Sequence, residues 1–263
     1  MFNRVSVWLD EYAPDGGAFA HASDWAARLR IPLHGVAAPV PPRSADPLSG
    51  RTMRACDQAC ARKGINWDTE YSIGEKQPPA GFFRDLDLTA FSASLPPYLR
   101  ESLLSEAELM PQASLMVCAS TWKPESRTLI LHQGRSPGIT FLEKAVPLCR
   151  VLSAPPVVLT LARTENRAIE RQELAREVFY RHSVDADFDL IAGCELQTAV
   201  VRAAQARGCS RVILEREPAP SWWHRLRGDT TWRLLSLADK LTIISLCTAS
   251  QIEKIPDMTC EQN

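Results

Sequence analysis

The chain has little net charge. Its 263 residues carry 30 Lys and Arg against 31 Asp and Glu, a formal charge of -1. That balance gives no reason to expect nucleic acid or an anionic membrane as a partner. No apolar run approaches the roughly 18 residues needed to span a bilayer. The N-terminus, Met1 to Trp8, enters a strand pattern directly and lacks the layout of a signal peptide. A cytoplasmic location is the expectation. No G-x-S-x-G, P-loop, H-E-x-x-H or paired C-x-x-C occurs. The five histidines are scattered, so neither a catalytic residue nor a metal site is expected. Eight cysteines are present. Most fall inside expected elements, Cys118 and Cys247 at the ends of apolar strands and Cys149 on a helix, and they read as reduced, buried thiols. Cys56 and Cys60 lie one helical turn apart and can share a face.

What is present is an alternation of short β and α patterns, run twice. In the second run, Thr128 to His132, Val157 to Leu161, Phe188 to Ile191, Arg211 to Leu214 and Leu241 to Ser245 read as strands. Helical patterns cover Ser136 to about Leu152, Asn166 to Tyr180 and Leu196 to Ala206. Leu196, Ala199, Val200, Ala203 and Ala204 form one apolar stripe, ended by Gly208. In the first run the strands are Val5 to Leu9, Leu33 to Ala38, Asn66 to Ile73, Leu88 to Ser92 and Ser114 to Ser120. A helix through Ala22, Trp25, Ala26 and Leu29 stops before Pro32, a second runs from about Ser49 to a left-handed cap at Gly64, and a third is opened by Pro96-Pro97. Gly74 to Asp85 is too short for a full crossover helix. Such alternation predicts an α/β fold: two tandem Rossmann-like units, each a mainly parallel five-stranded sheet with helices on both faces. The expected units are residues 1–122 and 123–250, with a polar tail at 251–263. Ligands on such sheets bind at the carboxyl ends of the strands.

The layout resembles the universal stress protein family, over about residues 4–120 and 127–247. The ends of the two runs carry the likeness, with Leu103-Leu104-Ser105 and Leu234-Leu235-Ser236 each preceding an apolar final strand. The resemblance implies an internal pseudo-dimer, with Ser114 to Ser120 against Leu241 to Leu246, and leaves room for a homodimer or a protein partner. Many members bind ATP through a G-x2-G-x9-G-[ST] loop after the fourth strand, whose glycines let backbone amides approach the phosphates. An acidic residue after the first strand holds the sugar. Asp10 matches that acidic position, but no glycine lies between Gly81 and Gly134, and Ser94-Leu95-Pro96-Pro97 stands where the loop belongs. In the second run Gly228, followed by Asp229, Thr230 and Thr231, matches the last glycine. Glu215 and Pro218 occupy the places of the first two, and His132 stands near the acidic position. The resemblance thus implies a non-enzymatic regulatory or binding protein with a degenerate or absent ATP site and no required cofactor.

The alternative is an adenine nucleotide or another anion held by the loop Ser221 to Gly228. Arg225 and Arg227 would clamp the anion, Trp222 and Trp223 would stack on a flat ring, and Gly228, Thr230 and Thr231 would open the following helix. The tryptophans could equally cover the sheet edge. A nucleotide hydrolase is a third reading, without a pyrophosphate or metal motif to support it. At Asp15-Gly16-Gly17 the glycines either admit a ligand close to the backbone or form a turn and helix cap. Arg163 to Arg181 reads as the solvated face of a helix, with Glu173 and Glu177 one turn apart and mildly repulsive.

Overall fold

The computed structural model describes residues 2–9, 17–37, 50–71, 82–84, 86–110, 113–133, 138–152, 154–216 and 230–247. Ten strands form one sheet: β1 Arg4–Leu9, β2 Leu33–Ala37, β3 Trp67–Tyr71, β4 Asp87–Ser92, β5 Ser114–Cys118, β6 Arg127–His132, β7 Val157–Ala162, β8 Asp187–Ala192, β9 Cys209–Arg216 and β10 Thr242–Cys247. Among the described residues there are seven helices: α1 Gly17–Leu29, α2 Gly50–Lys63, α3 Pro97–Leu109, α4 Gly138–Cys149, α5 Glu165–Arg181, α6 Leu196–Arg207 and α7 Thr230–Leu235. The strand order is β3-β2-β1-β4-β5-β10-β9-β6-β7-β8. Each group of five is parallel within itself, and the groups join where β5 pairs antiparallel with β10, Val117 opposite Ile243 and Leu115 opposite Ser245.

The antiparallel junction follows from the length of the connection. Only residues 119–126 link β5 to β6, and a parallel return needs a crossover of a dozen residues or more. β6 therefore runs opposite to β5, and the strands that pair parallel with it follow. The carboxyl ends of the two groups consequently lie on opposite edges of the sheet.

Helices cover both faces. Val5, Val7 and Leu9 of β1, with Ile130, Val158, Ile213 and Ile244, pack under α1, α2, α4 and α5. Trp8, Phe91, Leu115, Leu131, Val212, Leu214 and Ile243 pack under α3, α6 and α7. Most strands are buried on both sides, which is why they read as continuous apolar runs rather than alternating ones. The stripe on α6 is buried as the periodicity requires, with Leu196, Ala199, Val200, Ala203 and Ala204 all facing the sheet. Cys56 and Cys60 both point into the core from α2, and the seven described cysteines are free thiols. In the shortened connection before β4, Phe82 turns into the core and meets Trp8 edge-on, 5.7 Å between ring centres.

Helix ends depart from the sequence reading at two places. Gly64 and Gly208 are left-handed caps (φ 66° and 65°). α1 stops before Pro32 as expected, but without a glycine cap: Arg30 is itself left-handed (φ 56°), with Arg30 N–H donating to the Ala27 carbonyl and Ile31 N–H to that of Ala26. Ser183 closes α5 in the same way (φ 53°). These are Schellman ends built without glycine.

Candidate functional site

In each five-strand group one strand lies between neighbours whose crossover helices leave to opposite faces. The ends of β1 and β4 form one such switch point, those of β6 and β9 the other. A crevice at the carboxyl edge is where ligands bind on sheets of this kind. Asp10, Arg225, Arg227 and Gly228, with Trp222, Trp223, Asp15 and Gly16, lie outside the described residues. Thr230 and Thr231 open α7, and their side chains are outside the described set as well.

At the first switch point the loop after β4 closes on itself. The Ala93 amide donates to the Cys118 carbonyl (2.9 Å) and the Leu95 amide to the Ser92 carbonyl (3.4 Å). The Ser94 amide donates to Ser92 Oγ at 3.2 Å, and Ser92 Oγ bonds Ser94 Oγ at 2.7 Å. Arg100, one turn into α3, donates to the Ala93 carbonyl at 3.1 Å. Pro96 and Pro97 have no amide hydrogen. Every amide from 93 to 97 is thus absent or engaged within the protein, and none points outward to cradle a phosphate. Gly17, read either as admitting a ligand or as part of a turn and helix cap, opens α1 and has a packing task besides. A Cβ on it would collide with the Ala119 carbonyl oxygen and sit 3.2 Å from the Ser120 carbonyl carbon. The close approach it permits is to the chain's own backbone.

At the second switch point β6 ends in His132, a buried ring whose Nδ1 has no hydrogen-bond partner. Burial, with Arg171 nearby, pushes its pKa down to about 4, so the ring is neutral at pH 7. Arg171 of α5 reaches across to donate to the Gln133 carbonyl and to the Leu161 carbonyl at 3.3 Å. It holds the ends of β6 and β7 together and places a guanidinium where the sequence pattern suggested a solvated charge. Its register was a usable signal: Ala168, Arg171, Ala175 and Val178 fall on one stripe of α5, and the other three are buried. Glu173 and Glu177 do not simply repel. Glu177 pairs with Arg181 at 2.9 Å and Glu173 approaches Arg176 at 3.9 Å. The crevice therefore offers a neutral imidazole and a cation at the position where the sequence resemblance implied an acidic residue.

Two arginines of β9 escaped the sequence reading. Arg216 is buried, and its guanidinium donates to the carbonyls of Ala113 and Ala107, the latter at 2.5 Å. Arg211 is buried at the other end of the strand. The only signal was a core strand that carries an arginine near each end. Among the described residues no group of His, Cys, Asp or Glu could hold a metal ion.

No protein-family model and no curated protein sequence matches the chain. Solved structures do. An assigned universal stress protein from Pseudomonas aeruginosa UCBPP-PA14 superposes with a TM-score of 0.64 at 14% identity, covering 94% of this chain and 93% of that one. A universal stress protein from Archaeoglobus fulgidus DSM 4304 gives 0.62 at 8% identity, covering 94% and 97%. A protein of unknown function from Pseudomonas aeruginosa PAO1 gives 0.61 at 13% identity, covering 94% and 92%. The fold is that of the universal stress proteins, an α/β architecture with a ten-stranded, mostly parallel sheet.

Proposed function

We propose that this protein is a regulatory or binding protein of universal-stress-protein type, built from two tandem units at about 1–122 and 123–250 that pair as an internal pseudo-dimer through β5 and β10. It acts in the cytoplasm without catalysing a reaction, and it has lost the nucleotide site. The observation that carries this reading is the loop after β4, where prolines and internal hydrogen bonds leave no outward amide for a phosphate. The missing glycines of the second loop and the neutral His132 at the acidic position agree with it. Its output is then contact with another protein or a second copy of the chain, rather than turnover of a substrate.

A second reading keeps weak anion binding at the crevice between β6 and β9. It is favoured by the unpartnered Nδ1 of His132 and the guanidinium of Arg171, and in sequence Arg225, Arg227 and Gly228 stand just ahead of α7, which Thr230 and Thr231 open. Calorimetry with ATP, ADP and AMP separates the two readings. The first predicts no heat of binding at millimolar nucleotide. The second predicts weak binding that disappears in the Arg225→Ala, Arg227→Ala double variant. Tight ATP binding unaffected by that variant would overturn both.

A further inference from the structure

Away from both switch points, the seam between the two strand groups holds a buried cation with too few partners. Arg211 enters from the amino end of β9 and is 1% exposed. One guanidinium nitrogen, Nη2, donates to the Ser126 carbonyl. Nε and Nη1 have no hydrogen-bond partner. The carbon of the guanidinium lies 5.1 Å from the ring centre of Trp122, so one face is covered by an indole. No carboxylate pairs with it among the described residues. The acidic group that acts on it, Asp24 of α1, is bonded to Arg28 at 2.5 Å.

The remaining groups around it do not supply the missing negative charge. Arg28 adds a second cation and donates to the Val151 carbonyl at 3.1 Å. Lys63 of α2 faces Asp24 and Arg28 rather than Arg211 itself, donating to Ser23 Oγ at 2.8 Å. His21 packs edge-on against Trp122 at 4.4 Å and lies 3.2 Å from Thr242 Oγ1. Burial and Arg211 push its pKa down to about 3, so it stays neutral. Three cations therefore stand around one carboxylate. A cation–π face and one carbonyl offset only part of the cost of burying a guanidinium. A buried cation is retained where it is paired, and the three N–H groups on Nε and Nη1 here still lack an acceptor.

We infer that the seam beneath α1 is a site for one small inorganic anion, held by Nε and Nη1 of Arg211 beside the second cation, Arg28. It is separate from the crevices at the carboxyl ends of β1 and β6. Its position between α1 of the first group and β9 of the second makes the packing of the two groups dependent on anion concentration.

The test is thermal unfolding of the full chain at constant ionic strength in sodium gluconate, with chloride or inorganic phosphate replacing gluconate stepwise. The expected result is a saturable rise in the midpoint, about 5 °C at a hundredfold excess over Kd, in one or both arms. Arg211→Met removes that dependence. No anion dependence in the native chain, or the same dependence in Arg211→Met, overturns the site. Should Arg211→Met fail to fold, iodide quenching reports independently. A saturable component of tryptophan quenching that is absent from Trp122→Phe supports the site. Linear quenching without a saturable component overturns it.

Discussion

Arg216 tests how the two strand groups are held together. It sits on β9, yet its guanidinium donates to Ala107 at the end of α3 and to Ala113 just before β5. A cation at a helix C-terminus meets the negative end of the helix dipole, and here it is a second donor to the Ala107 carbonyl, which also accepts from the Met110 amide. Hydrogen bonds to a charged partner contribute about 1.5–3 kcal/mol each. Two of them, reduced by the desolvation that Ala would relieve, give a net loss of about 3 kcal/mol for Arg216→Ala. For a chain of this size that corresponds to a fall of about 6–12 °C in Tm. Arg216→Lys, whose ammonium lacks the planar fork, should recover less than half of it. Denaturant and thermal unfolding of the three proteins give the numbers. A loss below about 1 kcal/mol for Arg216→Ala would show that those carbonyls find other partners, and the clamp would then be no determinant of the junction.

Three further outcomes follow from the same geometry. Gly17→Ala should destabilise by about 1–3 kcal/mol or more, because the new Cβ meets backbone at Ala119 that has no rotamer to yield; urea unfolding checks it. Arg30→Gly and Ser183→Gly should each stabilise by up to about 1 kcal/mol, since the left-handed strain they relieve exceeds the added chain entropy; the midpoint of urea unfolding should rise in both. The third concerns acid. His21 and His132 are held neutral by burial, at about 3 and about 4, below the ordinary value near 6.5. The unfolded chain therefore binds protons first, and stability present above pH 6.5 is lost as pH falls through that value toward 4 and then 3. Within that window each histidine removes about 1.4 kcal/mol for every pH unit crossed. Stability followed by urea unfolding from pH 7 to 4 should thus fall by several kcal/mol, and His132→Asn should flatten part of that fall.

The sequence made the periodic elements plain because burial on both faces of a sheet, or along one helix stripe, dictates residue type directly. The α6 stripe and the paired inward cysteines of α2 show this. The glycine caps at Gly64 and Gly208 were readable for the same kind of local reason. Arg30 and Ser183 were not, since a non-glycine residue in a left-handed cap leaves no compositional trace. Gly17 was ambiguous, because close approach to a ligand and close approach to the chain's own backbone demand the same residue. Arg171 was half visible, since its register sets it on the buried stripe of α5, but Arg211 and Arg216 were hidden for another reason. Their partners are backbone carbonyls and a ring far away in the chain, and a pattern of side chains cannot reveal those. The loop after β4 was half legible. Its prolines announced the missing amides, and only the folded chain displays the bonds that occupy the rest.

The loss of the nucleotide site is the central claim, and the content of the purified protein tests it most directly. The full chain, purified without added nucleotide, is denatured, and the released small molecules are read by absorbance at 260 nm and by mass spectrometry. No adenine nucleotide above trace level is expected. Release of ATP or ADP at close to one per chain would contradict the claim, and would mean that a crevice without outward amides after β4 still holds a phosphate chain.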